Sequence, residues 1–107
     1  MTSETKAFSS HYINGQWVKA QSQQTMTVRD SSTEQLMATV PAGNADEAGK
    51  AVLAARAAFE AWATLPVETR AAYLDRIAGG VKARTDELAL AISREVGMPL
   101  KMAKSVQ

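Results

Sequence analysis

The chain of 107 residues has no cysteine and a single histidine, His11, so the chemistry open to it is narrow. Without a thiol there is no sulfur nucleophile, no disulfide and no zinc site built on thiolates. His11 has no companion ligands nearby in the sequence, and it is assigned to a strand or surface position. Glu95, in the last turn of an expected helix, is a candidate general acid or base. No second catalytic group accompanies it, so it reads as a solvated or structural carboxylate next to Arg94. Trp17, Phe59 and Trp62 could form a stacking platform, but their spacing fits the apolar faces of a hairpin and a helix and assigns them to core packing. Gly43-Asn44 opens a helix whose N–H groups could meet an anion, yet no glycine fingerprint follows a strand there. Arg70, Arg76, Lys82 and Arg84 make a mildly basic face interrupted by Asp75, Asp86 and Glu87, as a solvated surface does. On the residues alone no catalytic, cofactor-binding or metal-binding residue is assigned.

The elements that would position these groups change character near residue 44. Before it the period is two. Asn14-Gly15 sits between Tyr12-Ile13 and Gln16-Trp17-Val18, and both turn residues tolerate the positive φ of a type I′ turn, which predicts a tight hairpin. Met26 and Val28, then Leu36, Ala38 and Val40, alternate with polar or small residues around the turn cluster Asp30-Ser31-Ser32-Thr33-Glu34. A second antiparallel pair is predicted, closed by Pro41. Residues 1–10 are polar and small and are expected to be a mobile tail.

From Asn44 the period becomes 3.6. Asn44 with Glu47 has the form of a capping box. Ala48, Val52, Ala55, Phe59 and Trp62 then make one apolar stripe, broadened by alanines at 51, 54, 57, 58 and 61, so this helix expects cover on more than one side. Pro66 interrupts it, and Leu74, Ile77 and Val81 share a face of the next helix. Gly79-Gly80 costs that helix roughly 1 kcal/mol per glycine relative to alanine, which predicts either a close contact or a weak point. Thr85 is expected to cap a third helix that ends at Gly97. Residues 99–107 start another helix without a stop signal, which fits a piece of a longer chain.

Composition narrows the function classes. With 46% apolar and 21% charged residues and a net charge of +1, the chain reads as globular, and it offers no basic stripe for nucleic acid. No stretch of about eighteen apolar residues occurs, so no membrane span is expected. The opening residues lack the apolar centre of a secretory signal, and a cytoplasmic location is expected.

The order of hairpins and alanine-rich helices, together with particular residues, resembles the aldehyde dehydrogenase superfamily. The matching pieces are Tyr12-Ile13-Asn14-Gly15-Gln16-Trp17-Val18, Ala38-Thr39-Val40-Pro41, the alanine-rich run from 51 to Trp62, then Arg70, Leu74, Ile77, Ala78, Glu87-Leu88-Ala89 and Glu95, Gly97, Pro99 and Leu100. The chain departs from the family at 30–34, where Asn-Pro-Ala-Thr-Gly is common, at Met98, at Pro66-Val67 and at Gly79-Gly80. The resemblance implies an α/β fold in the full-length family, of which residues 11–107 would be the amino-terminal part of the cofactor-binding domain, with two hairpins followed by three or more helices. It implies oxidation of an aldehyde to a carboxylic acid by NAD or NADP, through attack of a cysteine thiolate, an oxyanion site and a glutamate that activates water. It implies a homo-oligomeric parent enzyme. Those catalytic and cofactor groups belong to later parts of the family chain, so the expectation here is an inactive, structural fragment that is marginally stable alone and binds no cofactor by itself. The competing expectation is a stand-alone helical interaction module that docks a partner on its alanine-rich faces.

Overall fold

The computed structural model describes residues 5–106. Five strands precede four helices: β1 (Lys6–Ala7), β2 (Ser10–Ile13), β3 (Gln16–Lys19), β4 (Thr25–Arg29), β5 (Leu36–Pro41), α1 (Ala45–Ala63), α2 (Val67–Ala83), α3 (Thr85–Val96) and α4 (Leu100–Val106). Two compact units result, one over Met1–Val28 and Leu36–Thr64, the other over Arg29–Gln35 and Leu65–Gln107.

In the first unit, Asn14 and Gly15 take φ of 56° and 74°, the left-handed pair that a two-residue hairpin loop requires. The turn sets the antiparallel register of β2 and β3, with Tyr12 opposite Trp17 and His11 opposite Val18. The Tyr12 and Trp17 rings meet edge-on at 5.0 Å. The other sheet has the order β1-β5-β4. Its first strand corrects one expectation. Residues 5–10 are not a tail: Lys6 and Ala7 pair in parallel with Ala38 and Thr39, and the Phe8 N–H donates to the Thr39 carbonyl at 2.9 Å. Backbone groups on the edge of β5 accept any residue type, so two paired residues leave no periodic trace in the sequence. The part of that expectation falling on residues 1–4 lies outside the described residues.

The capping box forms as the spacing predicts. Asn44 Oδ1 accepts from the Glu47 N–H at 2.8 Å, and Glu47 Oε1 accepts from the Asn44 N–H at 3.2 Å. At the far end of α1 the Thr64 N–H and hydroxyl both donate to the Glu60 carbonyl, so the helix is closed before Pro66 is reached.

In the second unit, Pro66 stands at the N-cap of α2 with no side-chain cap, and its carbonyl accepts from the N–H groups of Thr69 and Arg70. A methyl group added at Gly79 or Gly80 would meet nothing within 4 Å. No close contact at this pair is present within the described chain. Thr85 is not the cap of α3. Arg84 holds the N-cap position without a side-chain cap, and the Thr85 hydroxyl donates back to the Lys82 carbonyl at 2.8 Å. Only one residue separates α2 from α3, and its N–H is used to end α2. That leaves no extended residue for a threonine cap to occupy. Gly97 ends α3 at φ 76°, as expected, and α4 follows Pro99. Ala89 of α3 and Ala103 of α4 are fully buried, so these two helices close on each other through alanine.

Candidate functional site

The densest polar constellation lies in the first unit, where the start of α1 faces the hairpin and the link after it. Glu47, at 6% exposure, is the one buried charged residue among those described. Its Oε1 accepts from the Asn44 N–H, and its Oε2 accepts from the Gln21 N–H at 3.0 Å. His11 on β2 places Nε2 3.4 Å from the same Oε2. Gln21 also donates from its amide to Asp46 at 2.7 Å and accepts from the Asn44 amide at 3.1 Å. The cluster borders an open depression of about 480 Å³ lined by His11, Tyr12, Ile13, Gly43, Asn44, Glu47, Ala48 and Ala51. A neighbouring one of about 330 Å³ runs along Ala51, Ala54, Ala55 and Ala58.

The N–H of Asn44 is taken by Glu47 and that of Glu47 by Asn44, while Asp46 and Glu47 put two carboxylates in the first turn. An anion would meet like charge there, and two of the N–H groups are already taken. No group of three or more His, Cys, Asp or Glu side chains able to hold a metal ion occurs among the described residues.

A second cluster belongs to the other unit. Asp30 Oδ1 accepts from the N–H groups of Ser32 and Thr33 at 2.8 and 3.1 Å, and Oδ2 accepts from Arg94 Nε at 3.2 Å. Ser31 donates both its N–H and its hydroxyl to the Arg94 carbonyl, at 2.8 and 3.0 Å. The turn over residues 30–35 is thereby tied to the end of α3. The Ser32 N–H, then the Thr33 N–H, then Arg94 hold the Asp30 carboxyl below its ordinary 3.8. A depressed native pKa means that this contribution is complete above the unfolded value, about 3.9, and is lost as pH falls through the native one. In an acid titration of stability, Asp30→Asn should therefore flatten the limb below about pH 4 while leaving its slope above about pH 5 unchanged. An unaltered acid limb would show that Asp30 does not couple protonation to folding.

The other sequence candidates fall as follows. His11 is in a strand, as read, but a carboxylate that spacing did not reveal sits beside it. Glu95 is exposed at the end of α3, and the nearby Arg94 turns to Asp30. Arg76 lies over the Tyr73 ring at 4.4 Å, and Arg84 forms two bonds to Glu87 at 2.9 and 2.6 Å. Trp17, Phe59 and Trp62 correct the expectation of core packing, being 72%, 58% and 42% exposed. β2 meets α1 on its alanine side, while Val52 stays exposed and Phe59 has only the Arg56 guanidinium over its ring, at 5.7 Å. Gln21 was invisible to sequence reading because a link residue has no period. The turn-forming role of Asp30 carried a signal in Asp-Ser-Ser-Thr, a composition that favours side-chain to backbone turns.

The comparisons with known proteins agree with this architecture. Residues 17–107 match the model of the aldehyde dehydrogenase family. Geranial dehydrogenase of Castellaniella defragrans is 37% identical over 98 residues, which are 90% of this chain and 20% of that protein. Lactaldehyde dehydrogenase of Escherichia coli superposes with a TM-score of 0.89 at 31% identity over 94% of this chain and 21% of its own. Aldehyde dehydrogenase C of Pseudomonas syringae, solved as a cysteine-to-alanine variant with NAD+ and octanal, superposes at 0.87 with 37% identity over 91% of this chain and 20% of that one. The chain thus spans about one-fifth of the length of these relatives. A tight hairpin, a boxed helix start and a match over residues 17–107 lead to one conclusion: the chain belongs to the aldehyde dehydrogenase family.

Proposed function

We propose that this chain is the amino-terminal scaffold of an NAD(P)-dependent aldehyde dehydrogenase that oxidises an aldehyde to a carboxylic acid, and that it contributes no catalytic or cofactor-binding residue. The observation that carries the reading is the family match over residues 17–107 in a chain that spans a fifth of its relatives and has no cysteine. NAD+ and octanal in the Pseudomonas syringae relative support the cofactor and substrate class of the parent enzyme. The two carboxylates in the first turn of α1 support a cofactor site built elsewhere. A homo-oligomeric parent in the cytosol accords with this reading, and no helix among the described residues is long and apolar enough to cross a membrane.

The role left to the chain is positional. Its exposed apolar helix faces offer surface for further parts of an enzyme to pack on, since a helix with an apolar stripe is stable only when the stripe is covered. Hydride transfer from an aldehyde needs a tetrahedral adduct with a nucleophile, which no thiol in this chain can form. The purified chain, given NAD+ or NADP+ and octanal, is expected to yield no reduced nicotinamide. Reduction above a heat-inactivated control would overturn the reading.

A further inference from the structure

The chain has two asparagines, Asn14 and Asn44, and the fold treats their side-chain amides differently. At the start of α1 both ends of the Asn44 amide are engaged: Oδ1 accepts from the Glu47 N–H, and Nδ2 donates to Gln21. Asn14 is exposed at the tip of the hairpin between β2 and β3, and no hydrogen bond holds its amide among the described residues. Gly15 follows it, with no side chain to shield the backbone nitrogen. Such a nitrogen beside a free amide can close onto it as a five-membered ring, a route by which asparagine is thermolabile.

Closure requires the Gly15 nitrogen to eclipse Asn14 Cβ, which brings Cγ within reach. For an L residue this means ψ of about −120°, the value at the first central position of a type II′ turn. The observed turn is the other two-residue hairpin kind, with φ of 56° at Asn14 and 74° at Gly15. The two kinds differ by turning over the Asn14–Gly15 peptide. Asn14 keeps its positive φ, and φ of Gly15 changes sign, which glycine does without steric cost. Space does not oppose the turnover, since a Cβ built on Gly15 would meet nothing within 4 Å. The pairing of Ile13 with Gln16 survives it, because both kinds of turn join the strands through two residues.

We propose that Asn14 is a site of covalent self-modification, deamidation through a succinimide that the hairpin turn presents. The Gly15 nitrogen gives its proton to water or hydroxide and bonds to Asn14 Cγ. The bond from Cγ to Nδ2 breaks, and that nitrogen takes up a proton and leaves as ammonia. Water then opens the ring at one of its two carbonyls. Opening at Cγ leaves an aspartate, which suits a two-residue turn as asparagine does. Opening at the main-chain carbonyl leaves an isoaspartate, whose backbone runs through Cβ and is longer by one carbon. The lengthened loop no longer fits the register that sets Tyr12 opposite Trp17, with their rings at 5.0 Å.

To test this, the purified chain is held in mildly alkaline buffer, with and without denaturant, and followed by peptide mapping and mass spectrometry. Without denaturant, exchange of the amide NH2 for OH is expected at Asn14, with aspartate and isoaspartate both formed, while Asn44 stays intact. In denaturant the Asn44 amide is released, so the ratio of conversion at Asn14 to that at Asn44 should fall. The isoaspartate fraction should lose the Tyr12–Trp17 ring contact in proton NMR, and the variant Asn14→Asp should keep it. An Asn14 that stays intact in the native chain would overturn the proposal. So would the same ratio with and without denaturant, which assigns the reaction to unfolded molecules, or aspartate without isoaspartate, which means direct hydrolysis and no ring. The functional reading stands apart from all of these outcomes, since it fails only on nicotinamide reduction by the chain.

Discussion

Replacing Glu47 with alanine is expected to destabilise the first unit strongly, with the start of α1 losing one half of its capping box and the link at Gln21 losing its hold on the helix. The carboxylate accepts from the N–H groups of Asn44 and Gln21, and it is nearly inaccessible to water at 6% exposure. Truncation leaves both donors without an acceptor, at about 1–3 kcal/mol each where water cannot replace the bond. Taking the lower half of that range for donors close to the surface, the loss is about 2–4 kcal/mol. A complete domain of this size holds only about 5–15 kcal/mol in all, so the change removes a large part of the stability. Glu47→Gln keeps one oxygen and should lose about half as much. Asp46→Ala, at the exposed neighbouring position, should barely matter. Denaturant unfolding followed by circular dichroism, with amide exchange at Gln21 and Asn44, reads the difference. Equal effects of Glu47→Ala and Asp46→Ala would show that the buried carboxylate is no more than a surface cap.

How much of this cluster could be read beforehand follows from how local each interaction is. Asn44 and Glu47 are three residues apart and announce a capping box, and Asn14-Gly15 announces a hairpin turn, because both signals depend on short-range geometry alone. The second oxygen of Glu47 reaches a backbone N–H 26 residues earlier, and no periodicity records such a bond. β1 was missed for the same reason, since its pairing with β5 is made by backbone and spans only Lys6 and Ala7. The misplacement of Trp17, Phe59 and Trp62 has another cause. Their spacing states correctly that they need burial, but a sequence pattern does not say which part of a protein provides it. Their exposure here leaves that need unmet within the described residues. The family resemblance was legible because it rests on the order of many short pieces, each weak alone, along residues that the family model also matches.

Gly97→Ala is expected to destabilise the second unit by about 1–3 kcal/mol, the sum of a left-handed backbone penalty of about 1–2 kcal/mol and a steric one. Gly97 takes φ 76° at the C-cap of α3, a region that a Cβ disfavours. The added carbon would lie 3.2 Å from Ser31 Oγ, tighter than ordinary contact. Ser31 has little freedom to retreat, because its hydroxyl and its N–H both bond the Arg94 carbonyl. A left-handed backbone is not forbidden to larger residues in this fold. Glu34 holds φ 62° in the turn over residues 30–35, with its N–H donating to the Asp30 carbonyl and its own carbonyl accepting from Arg29. The distinguishing feature at Gly97 is therefore the crowding by Ser31. Repeating Gly97→Ala in a Ser31→Ala background separates the two contributions, since the second change removes the crowding atom. The destabilisation should shrink towards the backbone penalty alone. A cost that is unchanged in that background would assign the whole effect to φ, and a cost under about 0.5 kcal/mol, within the range of ordinary surface substitutions, would mean that the end of α3 adjusts freely.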